Sequence, residues 1–150
     1  MQDAVQALKK IFVFRHVSEP VLKLVADVVE TVTFGGGEVL ASETEPAKAL
    51  ILIRTGTVRC SREGMPTVDF GSGQTIGLVT LLDGGPVGIS AVALERVDAY
   101  SIRLERLHAK LAGNSEAGYQ FYQAVARSLA LRFRLLMNEL ELASELNAHR

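Results

Sequence analysis

The feature that most constrains the fold is a series of short apolar segments separated by turn residues between about residues 30 and 104. Before this region apolar residues recur at helical spacing, whereas residues 31–34 alternate in the manner of a strand. Seven or eight short strands with a turn signal about every 8 to 12 residues indicate a β-sandwich or barrel. The predicted strands are residues 31–34, 38–42, 49–53, 58–62, 67–70, 89–94 and 99–104.

Two short helices are predicted before the strands. Asp3 is the expected N-cap of a helix over residues 3–10, and Ser18 is the expected N-cap of a helix over residues 19–28. Pro20 in the first turn supports the second assignment, because proline fits that position of a helix. Between the helices lie two aromatic residues that we expect to anchor the first helix to the body, Phe12 and Phe14.

The chain after the strands is predicted to be helical. A short helix covers residues 104–111 and is followed, after Gly113 and Asn114, by a proline-free run predicted as one long helix over about 116–146. This helix carries two apolar rows. The smaller row contains Leu131, Leu135, Leu142 and Leu146, so one face of the helix can pack on the body while another face needs a partner. The main stripe recurs at steps of four and three, which predicts a homodimer through this helix. Its residues are Tyr122, Ala126, Leu129, Phe133, Leu136, Leu140 and Ala143.

Length and composition limit the classes of protein to consider. A chain of 150 residues predicts a single domain, with N-terminal helices over 1–29, strands over 30–104 and C-terminal helices over 105–150. No apolar run approaches the roughly 20 residues of a membrane span, and the N-terminus lacks the pattern of a signal peptide. The single cysteine, Cys60, cannot form an internal disulfide, which favours a cytoplasmic location. A net charge of −1 provides no general attraction to nucleic acid or anionic lipid.

No pattern typical of an enzyme is present. His16, His108 and His149 are scattered without metal-ligand spacing, so no metal site is predicted. Cys60 on a predicted strand is interpreted as a small core residue, and no local motif indicates a serine–histidine–acid site. Glu43 and Glu45 are interpreted as solvated surface residues.

Residues 71–92 contain six of the 13 glycines, set between β-branched and aliphatic residues. Glycine at this density indicates tight turns or close approaches of the backbone. The apolar run 76–82 is predicted to form one helical turn with free N–H groups near residues 77–79, which is a geometry that binds anions. The residues alone leave two alternatives open, a phosphate cradle or a turn-rich corner of a β-barrel.

Three motifs in this order resemble the cyclic nucleotide-binding domain family. The hexapeptide IRTGTV, residues 53–58, resembles the family's Ile-x-x-Gly-x-Val hairpin. GSGQTIGLVTLL, from residue 71, resembles its Gly-x-x-Phe-Gly-Glu-x-x-Leu motif, and GGPVGISAVA, from residue 84, resembles its Pro-Arg-x-Ala-Thr/Ser segment. The resemblance covers residues 5 to about 140. It implies an α+β, mainly β fold, in which an eight-strand double-stranded β-roll, or jelly-roll barrel, follows short helices and precedes a long one.

The resemblance also implies a ligand site, at which this sequence departs from the family. The family binds the ribose hydroxyl with an acid and the cyclic phosphate with an arginine, and these positions are Leu78 and Val87 here. Either these aliphatic residues line a pocket for an apolar ligand, or the old pocket is filled by side chains. Arg132 on the final helix either replaces the anion contact or belongs to a solvated helix face. The candidate pocket residues are Gly77, Leu78, Val79, Thr80, Val87, Gly88, Ile89, Ser90 and Arg132.

Three hypotheses about function follow. The first is a non-enzymatic regulatory module that no longer binds cyclic AMP or cyclic GMP in the standard way and acts through an unidentified protein partner and dimerisation. The second is a sensor of a cyclic nucleotide or another small molecule in the β-roll, and the third is a purely structural dimerisation domain. No cofactor is expected under the first hypothesis. Direct DNA binding is not expected, because no predicted helix-turn-helix lies within the 150 residues.

Overall fold

The structure is a computed structural model that describes residues 2–148. Met1, His149 and Arg150 lie outside the described residues. The helices are α1 (Gln2–Lys9), α2 (Glu19–Ala26), α3 (Leu78–Asp83), α4 (Leu104–Ala112) and α5 (Ser115–Ala148), and a 3-10 turn covers Phe12–Phe14. The strands are β1 (Val29–Phe34), β2 (Val39–Ala41), β3 (Ala49–Thr55), β4 (Val58–Ser61), β5 (Val68–Phe70), β6 (Thr75–Ile76), β7 (Ser90–Ala93) and β8 (Val97–Arg103).

The eight strands form two antiparallel sheets of four strands each. One sheet has the order β1-β8-β3-β6 and the other β2-β7-β4-β5. Successive pairings are nested, since β1 pairs with β8 along Val29–Phe34 and β2 pairs with β7 at Val39 and Ala41. This arrangement confirms the predicted α+β class and the eight-strand β-roll between short N-terminal helices and a long C-terminal helix.

The first sheet contributes side chains to two separate apolar cores. Strand β3 has four consecutive buried residues. Leu50 and Leu52 belong to the core shared with the helices, whereas Ile51 and Ile53 belong to the core between the two sheets. Because successive side chains of a strand point to opposite faces, a strand buried on both sides reads as a continuous apolar run.

The N-terminal helices begin as expected in one case and not in the other. Asp3 is not the N-cap of α1, because the helix already includes Gln2. It lies inside the first turn, where its negative charge interacts favourably with the helix dipole. Ser18 precedes α2 with extended backbone angles, and Pro20 lies in the first turn, although the Ser18 side chain makes no capping hydrogen bond. Phe14 is fully buried, so it anchors this region to the body.

Helix α5 changes its environment halfway along its length. Its first half is fixed by Phe121, whose ring lies 5.3 Å from the ring of Phe14 between centroids, and by buried Ala124, Val125 and Ser128. From Leu129 to Leu146 every side chain is exposed. The second half of α5 therefore extends away from the β-roll with no buried side chain, and near its start Arg132 still lies close to the Phe12 ring.

Candidate functional site

The glycine-rich stretch folds into a cassette (residues 71–92) that contains β6, α3 and the start of β7. Gly77 joins β6 to α3 with a φ of 96°, in the left-handed region that favours glycine. A Cβ at Gly77 would lie 2.7 Å from the Ala49 carbonyl oxygen and 3.1 Å from the Ala47 Cβ. Glycine is needed here both for the backbone angle and for the close approach of the first residues of β3.

The hydroxyl groups of two candidate pocket residues, Thr80 and Ser90, form hydrogen bonds within the protein. Thr80 Oγ1 accepts a hydrogen bond from the Ala47 N–H at 3.2 Å and donates one to the Gly85 carbonyl oxygen at 2.8 Å. Ser90 Oγ accepts a hydrogen bond from the Glu43 N–H at 3.2 Å. Thr80 is also only 5% exposed. These hydroxyls therefore close the cassette against the preceding loop.

The backbone of the cassette bonds to the same loop, residues 43–47, which we call the 43–47 segment. The Val87 N–H donates to the Glu45 carbonyl oxygen at 2.9 Å, and the Gly88 N–H donates to the Glu43 carbonyl oxygen at 3.0 Å. Sequence reasoning missed this segment, because Glu43 and Glu45 were interpreted only by their charged side chains. Their contribution is made by main-chain groups, which no residue type signals.

Leu78 and Val87 line two different clefts. Leu78 packs against the helical core and lines a cleft of about 370 Å³ that it shares with Phe12 and Phe70. Val87 packs with Ile89 against the core between the sheets. It lines a second cleft of about 310 Å³, also lined by Ile51 and Ile76, which we call the Val87 cleft.

Val79 and Arg132, two further predicted site residues, do not join Leu78 and Val87 in one pocket. Val79 is exposed on the outer side of α3. The Arg132 guanidinium carbon lies 5.8 Å from the centroid of the Phe12 ring, and Phe12 in turn lines the Leu78 cleft. A charged group within about 6 Å of an aromatic face makes a weak cation–π contact when exposed. The structure thus brings Arg132 near Leu78 through Phe12, and it leaves Val87 with the other cleft.

A family model for the cyclic nucleotide-binding domain matches residues 31–114, which is more than half of the chain. The chain belongs to the cyclic nucleotide-binding domain family. The match contains the β-roll from Thr31 in β1 to the end of β8, the complete cassette and α4. No curated protein sequence matches the chain at a significant level.

Solved structures of this family have the same fold. The catabolite activator protein of Thermus thermophilus is 25% identical with a TM-score of 0.65, over 89% of this chain and 63% of that protein. The N-terminal domain of a transcriptional regulator from Streptomyces coelicolor is 23% identical with a TM-score of 0.70, over 84% of this chain and 94% of that domain. The regulatory subunit of a cAMP-independent protein kinase A from Trypanosoma cruzi, bound to guanosine, is 19% identical with a TM-score of 0.64, over 70% of this chain and 38% of that one. The chain therefore spans less than two thirds of the length of the Thermus and Trypanosoma proteins.

The side chains whose pKa values are shifted lie mainly on the outer faces of the sheets. The Arg59 guanidinium donates to Asp69 at 3.0 Å across β4 and β5, which lowers the pKa of Asp69 and raises the pKa of Arg59. Inside, burial and then the charge of Asp69 raise the pKa of the Cys60 thiol. A buried thiol with a raised pKa is a poor nucleophile, in line with Cys60 as a core residue.

Metal-binding clusters and membrane-spanning helices are both absent from the part of the chain that the structure describes. Among residues 2–148, no three histidine, cysteine, aspartate or glutamate side chains are grouped so that they could hold a metal ion. Over the same residues, no helix is long and apolar enough to cross a membrane.

The stripe predicted on the final helix is exposed in the structure. Tyr122 is 40% exposed beside the buried Phe121, and burial raises the pKa of its hydroxyl. The other members of the stripe are also exposed, and Phe133 and Leu140 reach 64% and 66%. An exposed apolar stripe of this length is typical of an interaction surface. From Leu129 onward, all residues of the stripe are exposed, whereas Tyr122 at its start is partly covered.

Proposed function

We propose that the protein is a non-enzymatic regulatory module of the cyclic nucleotide-binding domain family that does not bind cyclic AMP or cyclic GMP in the standard way. The observation that carries this proposal is the closure of the cassette on the 43–47 segment. Thr80, Ser90 and the N–H groups of Val87 and Gly88 all have partners within the protein. A phosphate would have to displace these hydrogen bonds, with aliphatic side chains at the two positions where the family carries charge.

The two missing charged side chains determine how much affinity for a cyclic nucleotide the cassette lacks. Hydrogen bonds to charged groups contribute about 1.5 to 3 kcal/mol each. Losing one such contact lowers affinity by about one to two decades, and losing both at Leu78 and Val87 multiplies the two factors. Binding of a cyclic nucleotide through this cassette would therefore be weak.

A thermal-shift titration with cyclic AMP and cyclic GMP tests the proposal. A ligand at about 100 times its Kd stabilises the folded state by about 2.7 kcal/mol. For a domain of this size, that corresponds to a rise in Tm of about 5 to 11 °C. We expect no saturable rise for the wild-type protein, and a saturable rise at micromolar concentrations of either nucleotide would refute the proposal.

A paired variant makes the test specific to the two positions. Leu78→Glu combined with Val87→Arg restores both charged side chains, whereas the matched control Leu78→Gln with Val87→Gln restores polarity without charge. If the missing charges limit binding, the first variant gains a nucleotide-dependent shift and the control does not. If neither gains one, the closed 43–47 segment is the stronger barrier.

A second candidate function is a sensor of a small apolar molecule. The Val87 cleft favours it, because a cleft of about 310 Å³ reaches the lower end of the volumes of small-ligand sites and is lined mainly by apolar residues. Val87→Trp would fill the cleft. Retention of a hydrophobic fluorescent probe by Val87→Trp with wild-type affinity would exclude the cleft as its binding site.

The proposal includes a route for signalling. The exposed stripe on α5 supports a homodimer, and a separate protein partner would bind the dimer or the outer surface of the β-roll. We place this module in the cytoplasm, in agreement with a single buried thiol. Sedimentation of a single monomeric species at high protein concentration would contradict the dimer and leave the proposal about the cassette unchanged.

A further inference from the structure

A third cleft lies between α1 and the end of β3. It has a volume of about 300 Å³, and Arg54 of β3 and Tyr100 of β8 both line it, so we call it the Arg54 cleft. The Arg54 guanidinium carbon lies 4.5 Å from the centroid of the Tyr100 ring, which is a cation–π contact. Because Tyr100 is only 8% exposed, the core fixes its ring, and the ring in turn orients the exposed arginine at the cleft.

The Arg54 cleft and the Leu78 cleft are adjacent. Both are lined by Lys10 and by Gly73. Gly73 keeps their junction open, because a Cβ at this residue would have no neighbour within 4 Å. The two clefts therefore form one continuous depression, which we call the α1 groove.

Two segments of the chain run along the α1 groove. Helix α1 and the 3-10 turn line one side from Asp3 to Phe12, and residues 70–78 line the other. From Asp3 to Lys9, α1 alone rises about 9 Å. Because an extended chain covers about 3.3 Å per residue, this part of the groove accommodates about three residues of an extended peptide.

The Leu78 end of the groove is mainly apolar. Phe12, Phe70 and Leu78 line it, and each of the three is neither fully buried nor fully exposed. Each therefore keeps an apolar surface in contact with water. An apolar side chain inserted among them would remove this surface from water, which favours binding.

The charges around the groove are mainly positive. Lys10 lies where the clefts meet, Arg54 lies at one end, and Arg132 lies near Phe12 at the other. None of these three cations forms an ion pair within the part of the chain that the structure describes. Over the same part, Asp3 is the one carboxylate that lines either cleft. Carboxylates of a partner would thus meet cations that are free to pair with them.

The groove also runs beside the edge of a sheet. Strand β6 ends the sheet β1-β8-β3-β6, where among the described strands its one neighbour is β3. Thr75 of β6 lines the Leu78 cleft. The outward main-chain groups of an edge strand can pair with a further extended chain. This favours an extended peptide as the occupant, since a peptide supplies main-chain groups along its whole length.

We propose that the α1 groove binds an extended acidic segment of a partner protein, with carboxylates of the segment paired with Lys10 and Arg54 and an apolar side chain in the Leu78 cleft. This inference rests on the separate protein partner of the proposed function and adds the surface and the chemistry of that contact. The α1 groove shares no lining residue with the Val87 cleft. Binding in the groove therefore does not require the cassette to open.

Selection from a phage-displayed library of random peptides on the immobilised full-length protein tests the chemistry of the partner. We expect the enriched peptides to combine several aspartate or glutamate residues with at least one leucine, phenylalanine or tryptophan. Enrichment of peptides without acidic residues, or of no peptide at all, would overturn the inference.

Fluorescence anisotropy with a labelled enriched peptide locates its binding site. Lys10→Glu with Arg54→Glu reverses two exposed charges of the groove and is expected to raise the Kd about tenfold. The matched control, Lys23→Glu with Arg62→Glu, reverses two exposed charges outside the groove and should leave the Kd within about twofold of wild type. Equal weakening by both variants would show unspecific charge attraction, and no weakening by either would place the peptide elsewhere. Either result overturns the inference.

A change in the peptide tests the same charges without changing the protein. Replacement of the acidic residues of the enriched peptide by glutamine or asparagine should raise the Kd for the wild-type protein about tenfold, and an unchanged Kd would contradict the pairing. N-acetylglutamate at millimolar concentration should not displace the intact peptide. Complete displacement would assign the groove to a small carboxylate and would overturn the peptide as its occupant.

The peptide measurements are independent of the titration with cyclic nucleotides. Absence of peptide binding together with absence of a nucleotide-dependent shift in Tm would overturn this inference and leave the proposal about the cassette standing. A saturable nucleotide-dependent shift would refute the proposal about the cassette, and peptide binding that depends on Lys10 and Arg54 would still establish the α1 groove as a docking site.

Discussion

Replacement of Gly77 by alanine tests how tightly the cassette is joined to the start of β3. Gly77 has a φ of 96°, and a Cβ there would lie 2.7 Å from the Ala49 carbonyl oxygen, which belongs to the backbone of a strand. Gly73, in the same cassette, has a φ of 89°, but a Cβ at this residue would have no neighbour within 4 Å. Gly77→Ala and Gly73→Ala therefore both place an alanine in the left-handed region of backbone angles, but only Gly77→Ala also creates a steric clash.

The structure sets the expected magnitudes. An alanine in the left-handed region costs about 1 to 2 kcal/mol, part of which is offset by the lower entropy of the unfolded chain. Gly73→Ala should therefore lower the free energy of unfolding by about 0.5 to 1.5 kcal/mol. Gly77→Ala carries the same cost and must also displace β3 or α3, which adds about 1 to 3 kcal/mol.

Urea unfolding followed by far-ultraviolet circular dichroism measures both variants against the wild type. We expect a loss of about 2 to 4 kcal/mol for Gly77→Ala, or about 4 to 16 °C in Tm, and a clearly smaller loss for Gly73→Ala. Equal losses for the two variants would refute the close approach of Gly77 to Ala49 as the reason for glycine at this position.

Three other predictions concern the cassette, the helical core and the core between the sheets. Thr80→Val keeps the shape of the side chain but removes two hydrogen bonds, so it should cost about 1 to 3 kcal/mol in urea unfolding, whereas Thr80→Ser should cost less; the reverse order would contradict the role of the hydroxyl. Phe121→Ala should cost about 3 to 5 kcal/mol in the same assay because its ring is fully buried, and Tyr119→Ala, on an exposed side of the same helix, is the matched control that should change stability little. Burial raises the pKa of the Cys60 thiol and keeps it protonated near neutral pH, so a thiol reagent should modify it only as fast as the protein unfolds; rapid modification of the folded protein would show that the thiol is accessible.

The fold could be predicted from the sequence because its strands and helices have clear periods and its motifs have a recognisable order. Strand β6 was missed, since Thr75 and Ile76 are too few residues to show a period. The helical turn predicted within residues 76–82 is present as Leu78–Asp83, so it begins two residues after the start of the apolar run and ends one residue after the end of that run.

Less of the candidate site than of the fold could be predicted from the sequence. The loss of charge at Leu78 and Val87 was visible, but their separation into two clefts depends on which core each side chain joins. The closure by the 43–47 segment consists largely of bonds from main-chain N–H groups and to main-chain carbonyl groups, as at Glu43 and Glu45, and these groups are the same in every residue. Spacing and residue type carry no information about such bonds.

The nested pairing of the strands determines when the protein can fold during its synthesis. Strand β1 pairs with β8, and Val29 lies opposite Ile102. About 70 residues must be added after β1 before its partner exists, which takes about 4 to 15 s at the usual rates of translation. During that time the apolar residues of β1 and β2 have no native partner strand, and the hairpin of β4 and β5 cannot shield them. We therefore expect the nascent chain to need protection from aggregation until β8 has left the ribosome, and the finished sheets to form in a late, cooperative step.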